Sequence, residues 1–492
     1  MLTPPRQVTA DRAAARINMV SGIPDRRLTR MLDTALEHHQ AGRLGKALSF
    51  YRKYLKRRPD DVEALNQAGI AAFDSGETEM ALRWLNTARD ESPGDPKSFY
   101  NLGLVYQSLG RLDDALDSYT RAAVIGPGVA STYYNMGVVL TQMGKSDDAL
   151  TALDHTITLD PDHGKAYASK GYIRRMQGRA DESAALYNRA SALSPGDPAL
   201  LGDLGMALRD AGRLTESASA FDRALFIDPD YAESTSNFAD VLLRLDQSSD
   251  ALAVCDAYLE RHPYHASVLA AKSVVLNEMG ETAAVAELVD FDRFVAPIQH
   301  DGAPGFRDLA AFNAALAEHI LNHPTLVIAP TSNATRLGKH SGELTAKPKG
   351  PIATFETLIR RAFEGYTNRV CGVAGIGHPF AANPPKRWGL NVWSIVLEGE
   401  GYQLPHIHRA AWMSGVYYTR VPDIVHDGSR AGWIEFGRPG REYHWAAEPN
   451  TRAYQPAPGL MVLFPSYMFH ETIPFKSSET RISIAFDIVP EG

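Results

Sequence analysis

The chain has 492 residues, 44% hydrophobic and 22% charged, which is ordinary for globular domains and sufficient for two to four of them at roughly 100–200 residues each. Its 50 basic and 58 acidic residues leave a formal charge of −8, which argues against a basic nucleic-acid-binding surface. Two cysteines, Cys255 and Cys371, make neither a disulfide framework nor a thiolate zinc cluster. There is no run of 18 apolar residues, and Met1–Gly22 carries Arg6, Asp11, Arg12 and Arg16 without an apolar core, so neither a transmembrane helix nor a signal peptide is expected. The expected location is cytoplasmic, with no membrane and no nucleic-acid partner.

Residues 1–27 read as a tail or a capping helix. From about residue 28 a period of 34 residues takes over. It shows in Pro59, Pro93, Pro127, Pro161, Pro195, Pro229 and Pro263. Gly42, Gly76, Gly110, Gly144, Gly178 and Gly212 keep the same spacing, as do Gly69, Gly103, Gly137, Gly171 and Gly205, flanked by Ala35 and Ala239. A fourth column holds Ala47, Ala81, Ala115, Ala149 and Ala251, with Ser183 and Ser217 substituting. Each column has a physical role. The small residue lets a second helix approach the first. The glycine after the first helix takes a left-handed turn, and the proline ends the second helix and opens the next unit.

On these columns the sequence resembles the tetratricopeptide-repeat family over about residues 28–265. The resemblance implies an α-solenoid whose concave face holds a protein or peptide partner. An eighth helix pair, about 266–290, carries Gly280 and reads as the cap of a solenoid spanning 28–290. Asn101, Asn135 and Asn237 share one position on the first helix of their repeats. Their side-chain amides are candidates for gripping a peptide backbone, an arrangement that resembles the peptide-holding ladder of the O-GlcNAc transferase repeats.

Residues 291–306 hold Pro297, Gly302, Pro304 and Gly305 and read as a linker. Amphipathic helices are expected over Asp308–Leu321 and Ile352–Phe363. From Asn391 the pattern becomes that of short strands: Asn391–Leu397, Met413–Val421, Trp433–Phe436, Leu460–Phe464 and Arg481–Val489. Such strands with turns between them predict a sandwich or jelly roll. The chain is thus multidomain, α then β, with its last domain at 307–492.

His406 and His408 are two residues apart. On an extended strand they project to one face and can share a metal through neutral nitrogens. His470, just beyond the strand Leu460–Phe464, is the best third donor. Arg481 and Ser483 lie on one face of the last strand and make a fork for a carboxylate. Asp423 and Glu435 are alternative carboxylates, but neither keeps the motif spacing. Tyr417, Tyr418 and Trp393 can line a pocket or pack a sheet.

Pro405-His406-Ile407-His408, Ser414-Gly415-Val416-Tyr417-Tyr418, Gly459, Phe464-Pro465-Ser466, His470 and Arg481-Ile482-Ser483 together resemble the Fe(II)- and 2-oxoglutarate-dependent oxygenases over about residues 300–490. The bacterial branch in which the oxygenase follows tetratricopeptide repeats is the nearest. The resemblance implies a double-stranded β-helix with flanking helices. His406, His408 and His470 would bind Fe(II). Arg481, with Ser483 and Tyr418, would hold 2-oxoglutarate, and O2 is the other cosubstrate. His408 stands where the family usually has a carboxylate, which also resembles three-histidine dioxygenases that need no 2-oxoglutarate. Hydroxylation of a protein or peptide recruited by the repeats is the leading expectation. An oxygenase acting on a small molecule, with the repeats for assembly, and a non-enzymatic scaffold are the alternatives. A homo-oligomer is compatible with the sequence.

Overall fold

Each 34-residue period folds as two helices joined by a tight turn. A computed structural model describes residues 26–330, 333–372 and 377–491; the expected N-terminal tail or cap therefore lies outside the described residues up to position 25. The chain divides into two compact units between Ser194 and Pro195.

The first unit holds the helix pairs Arg26–Gln40 and Leu44–Leu55, Val62–Asp74 and Thr78–Glu91, Pro96–Ser108 and Leu112–Ile125, Ala130–Gln142 and Ser146–Leu159, and Gly164–Met176 and Ala180–Leu193. The sequence columns act as expected. Gly42, Gly76, Gly110, Gly144 and Gly178 all take positive φ between the helices of a pair. Gly69, Gly103, Gly137 and Gly171 face Leu85, Tyr119, Leu153 and Tyr187, sixteen residues on, so closely that an added Cβ would fall within about 3 Å of the side chain. Where serine replaces the crossing alanine at 183, its hydroxyl donates to the carbonyl of Gly171 at 2.8 Å, so the substitution leaves no buried group unpaired. Asp61 and Asp95 cap helix starts by accepting backbone N–H bonds.

The second unit begins with more of the same: Pro198–Asp210 and Leu214–Ile227, Ala232–Arg244 and Ser248–Arg261, and Ala266–Glu278 and Thr282–Leu288. The turn column continues through Gly212, Asp246 and Gly280, and Asp246 itself adopts φ 58°; aspartate is among the few side chains that tolerate this conformation. A single hydrophobic core runs from Phe221 in these helices to Ile488 in the last strand. Residues 291–306 do more than connect. They form a helical turn, Phe291–Phe294, and the strand β1 (Ala296–Gln299), which pairs antiparallel with Leu460–Leu463.

The β domain also contains β2 (Val327–Ile328), β3 (Thr335–His340), β4 (Trp388–His406), β5 (Met413–Arg420), β6 (Ile434–Phe436), β7 (Arg452–Tyr454), β8 (Leu460–Pro465), β9 (His470–Thr472) and β10 (Ser477–Pro490). Their order is β1-β8-β5-β10-β4-β9-β6-β7, with β3 also on β4. All recorded pairings are antiparallel, and the sheet curls into a jelly-roll-like sandwich. β4 joins the two layers. Trp388–Leu397 pairs with β10 and Gln403–His406 with β9; the chain bends between them at Gly399, φ 65°. Two helices cover the outer face. Leu309–Leu321 is capped by Asp308, and its Asn313 accepts the Tyr417 hydroxyl at 2.7 Å. Ile352–Cys371 places Phe355 5.1 Å from Tyr417 and 6.0 Å from Phe486, ring to ring. This second helix runs eight residues past the expected Phe363, because buried Tyr366 and Val370 extend its apolar stripe.

At Gly103 a Cβ would lie 2.5 Å from the Tyr119 ring. Gly103→Ala is expected to destabilise the repeats by about 1–3 kcal/mol despite its better helix propensity. Chemical denaturation checks this, and an unchanged midpoint would refute the close-approach role.

Candidate metal centre

His406 ends β4 and sits directly opposite His470, the first residue of β9. His408 follows in extended chain, its N–H bonded to Ser466 O at 3.0 Å. Ring centroids are 4.3 Å apart for His406 and His470, 5.0 Å for His408 and His470, and 5.2 Å for His406 and His408. One ring nitrogen from each falls within 4.8 Å of the others. The opposite nitrogens are all engaged. His406 Nδ1 bonds Leu404 O at 2.8 Å, His470 Nδ1 bonds Met468 O at 3.1 Å, and His408 Nδ1 bonds Asp487 Oδ1 at 2.6 Å. Because these partners are all acceptors, each Nδ1 carries the proton and each Nε2 presents a lone pair. His406 Nε2 and His408 Nε2 lie 3.3 Å apart. Burial holds His406 neutral, with its pKa pushed down to about 4, and holds His470 well below the usual imidazole range. Three convergent imidazole Nε2 atoms match the donor chemistry of a divalent transition metal.

Beside the imidazoles, Arg481 is 1% exposed and its Nε and Nη1 have no hydrogen-bond partner. Its guanidinium lies 4.9 Å from the centre of the Tyr418 ring. Ser483, two residues on along the same strand face, is also buried, with its hydroxyl unpartnered. A buried cation with orphaned donors is costly unless an anion completes it. Tyr418, Arg481 and the three histidines line one cavity of about 40 Å³ with Trp393, Gln403 and Glu471. That volume suits a few waters. A five-carbon diacid therefore needs the lining side chains to swing outward.

Residues 391–487 match the family described as Putative 2OG-Fe(II) oxygenase, and residues 9–271 match the family described as Cilia and flagella-associated protein 70 C-terminal domain. The chain belongs to the tetratricopeptide-repeat family of the second match and carries the oxygenase domain of the first. Among solved structures, MamA is 27% identical, covering 33% of this chain and 94% of that one at a TM-score of 0.31. YrrB, titled a TPR protein with an unusual peptide-binding site, is 20% identical over 37% of this chain and 95% of that one, at 0.33. A tetratricopeptide repeat protein from Parabacteroides merdae is 15% identical over 51% and 98%, at 0.39. Comparison with curated proteins gives no significant match.

The oxygenase domain holds one site residue that sequence reasoning passed over. Asp487 Oδ1 bonds both His408 Nδ1 and Ser414 Oγ at 2.6 Å. Asp487 thus places a carboxylate directly behind the His408 ring. The signal was present, since Arg481, Ser483, Ala485 and Asp487 alternate on one face of β10 while Ile482, Ile484, Phe486 and Ile488 fill the other. Glu435 is tied to Arg438 at 2.9 Å, and Arg438 also reaches Glu471 at 3.2 Å. Burial, with Glu435 alongside, raises the Glu471 pKa to about 7.

The three asparagines sit on repeat helices, Asn101 and Asn135 in the first unit and Asn237 in the second. Asn101 is buried and donates to Asn66 Oδ1 at 3.0 Å. Asn135 donates to the Tyr100 hydroxyl at 3.1 Å. Asn237 donates to Glu233 O at 2.8 Å and accepts from Arg209 at 3.2 Å.

Two outcomes follow from the site chemistry. An imidazole whose folded pKa lies below its unfolded value near 6.5 binds fewer protons when folded. His406 and His470 therefore contribute stability above about pH 6.5 that is lost as pH falls towards 4. Thermal melts of metal-free protein should show that loss, and the double variant H406Q/H470Q should flatten it. Asp487→Asn should weaken Co(II) or Fe(II) affinity about 10–100-fold; an anaerobic titration with no change would remove Asp487 from the site.

Proposed function

We propose that this protein is an Fe(II)- and 2-oxoglutarate-dependent oxygenase that hydroxylates a protein or peptide recruited by its repeats. The observation that carries the reading is the pairing of three convergent imidazoles with an uncompensated buried guanidinium in one cavity. His406, His408 and His470 would hold Fe(II) through Nε2. Arg481, with Ser483 and Tyr418 beside it, would bind the distal carboxylate of 2-oxoglutarate, which supplies the missing partner for its donors. When bound, the pair supplies an O2-derived oxidant for a substrate C–H bond, with 2-oxoglutarate leaving as succinate and CO2. Charge balance supports the dianion. The diacid would bring one carboxylate to the metal and the other to Arg481, whose buried donors have no partner. Asp487 holds the His408 Nδ1 proton and so fixes which nitrogen faces the metal. Apolar Phe464, Ile434 and Val416 line the same cavity and limit the access of water.

The neutral donor set alone also suits a three-histidine dioxygenase without 2-oxoglutarate. Arg481 favours the 2-oxoglutarate reading, because a site with no anionic cosubstrate leaves its buried donors unpaired. For Asn101, Asn135 and Asn237 to hold cargo, their amides must exchange the internal bonds they now make.

Anaerobic reconstitution with Fe(II) and 2-oxoglutarate, followed by O2, tests the proposal. Succinate should form, His406→Ala should abolish it, and Arg481→Ala should raise the 2-oxoglutarate KM at least tenfold. A candidate cargo should gain one oxygen, and replacing the three asparagines by alanine should slow that gain while leaving uncoupled succinate formation in place. Oxygen consumption independent of 2-oxoglutarate would favour the three-histidine alternative instead.

A further inference from the structure

Tyr264 belongs to the repeat array, in the short link between the helices Ser248–Arg261 and Ala266–Glu278. Its hydroxyl oxygen lies 2.7 Å from Trp412 O, 3.1 Å from Ala411 O and 2.8 Å from Ser466 Oγ. With its single proton it can donate to the nearer Trp412 O while accepting from Ser466 Oγ, and so link two separate turns of the oxygenase domain. The first turn runs from His408 to Trp412, with Ala411 N bonded back to His408 O at 3.4 Å. The second runs from Pro465 to Met468, closed by Met468 N on Pro465 O at 3.1 Å.

Both turns lead straight to the metal-site imidazoles. Ser466, fully buried, accepts the His408 N–H on its carbonyl and donates its own N–H to Trp412 O at 3.2 Å. Its hydroxyl has both Ala411 O and the Tyr264 hydroxyl oxygen within reach as acceptors of its one proton. Met468 O is the acceptor that orients His470 through Nδ1. One hydroxyl thus ties together the main-chain segments that aim His408 and His470.

The neighbouring repeat helices hold the same half of the domain. Glu278 accepts the N–H groups of Ala446 and Ala447 at 2.9 Å each, Asn277 donates to Ala447 O at 3.2 Å, and buried Asp240 accepts the His444 N–H at 2.5 Å. The segment so gripped joins β6 to β7, and β6 pairs with His470 through Phe436.

We infer that Tyr264 is a positioning residue of the metal site, supplied by the repeats, which fixes the relative placement of His408 and His470. The inference rests on the metal reading above. It makes the terminal repeats a part of the oxygenase domain's metal-binding machinery, separate from any role in holding cargo.

The test is an anaerobic Co(II) titration of the full metal-free chain, following affinity and the visible d–d bands, for wild type, His406→Ala, Tyr264→Phe and Ser466→Ala. Tyr264→Phe keeps the ring that packs 6.1 Å from Phe380 and 6.5 Å from Tyr467 and loses only the hydroxyl. It should bind Co(II) about tenfold more weakly, with shifted d–d bands and an unchanged far-UV circular dichroism spectrum. Ser466→Ala cuts the other side of the same bond and should shift both readouts in the same direction; it decides alone if Tyr264→Phe does not fold. If wild type binds no Co(II), or His406→Ala binds as well as wild type, the metal reading falls and the inference with it. If wild type binds, His406→Ala does not, and both Tyr264→Phe and Ser466→Ala match wild type in affinity and spectrum, the positioning role is overturned and the metal reading stands.

Discussion

The site depends on one strand belonging to both layers of the sandwich. β4 is 19 residues long and spends its first half beside β10 and its last residues beside β9. Antiparallel pairing then leaves little freedom. β10 must present Arg481 across from Leu397, and β9 must present His470 across from His406. The bend at Gly399 turns a flat ladder into an enclosure. Side chains that are distant along the chain are brought together by main-chain hydrogen bonds alone, before any of them touches a ligand.

Within that enclosure the polar groups fall into two classes. Those facing outwards from the imidazoles are satisfied: each Nδ1 has an acceptor, and Asp487 has two donors. Those facing inwards are not, since the Arg481 Nε and Nη1 and the Ser483 hydroxyl lack partners. Native interiors leave few buried donors unpaired. Their clustering beside three convergent imidazoles marks this cavity as a candidate binding site.

Much of this was legible from residues alone. The repeat was the plainest feature, because glycine at a left-handed turn and a small residue under Tyr119 or Leu85 have few substitutes, and the period recurs many times. His406, His408, His470 and Arg481 were legible because strand alternation fixes their face. Asp487 was less so, because its role depends on β10 lying next to β5, which brings it against Ser414 and His408. From the residues alone the strand is expected to end at Leu397, since Gly399, Gly401 and Pro405 look like turn residues; cross-strand pairing carries β4 through them to His406. Tyr264 could not be found from spacing, as its partners lie about 150 and 200 residues away in sequence and no local pattern encodes such contacts.

The position of β10 has a consequence for how the molecule is made. This strand, the last in the sequence, is inserted in the middle of the sheet, between β5 and β4. Until it is synthesised, both neighbours carry an open hydrogen-bonding edge and Phe486 is missing from the core. The helices from Pro198 onwards rely on local contacts and can assemble while the chain is still growing. They then offer the unfinished sheet a preformed surface to dock on. Arg481, Ser483 and Asp487 all belong to this strand, so the candidate centre gains its buried guanidinium and the carboxylate behind His408 last of all.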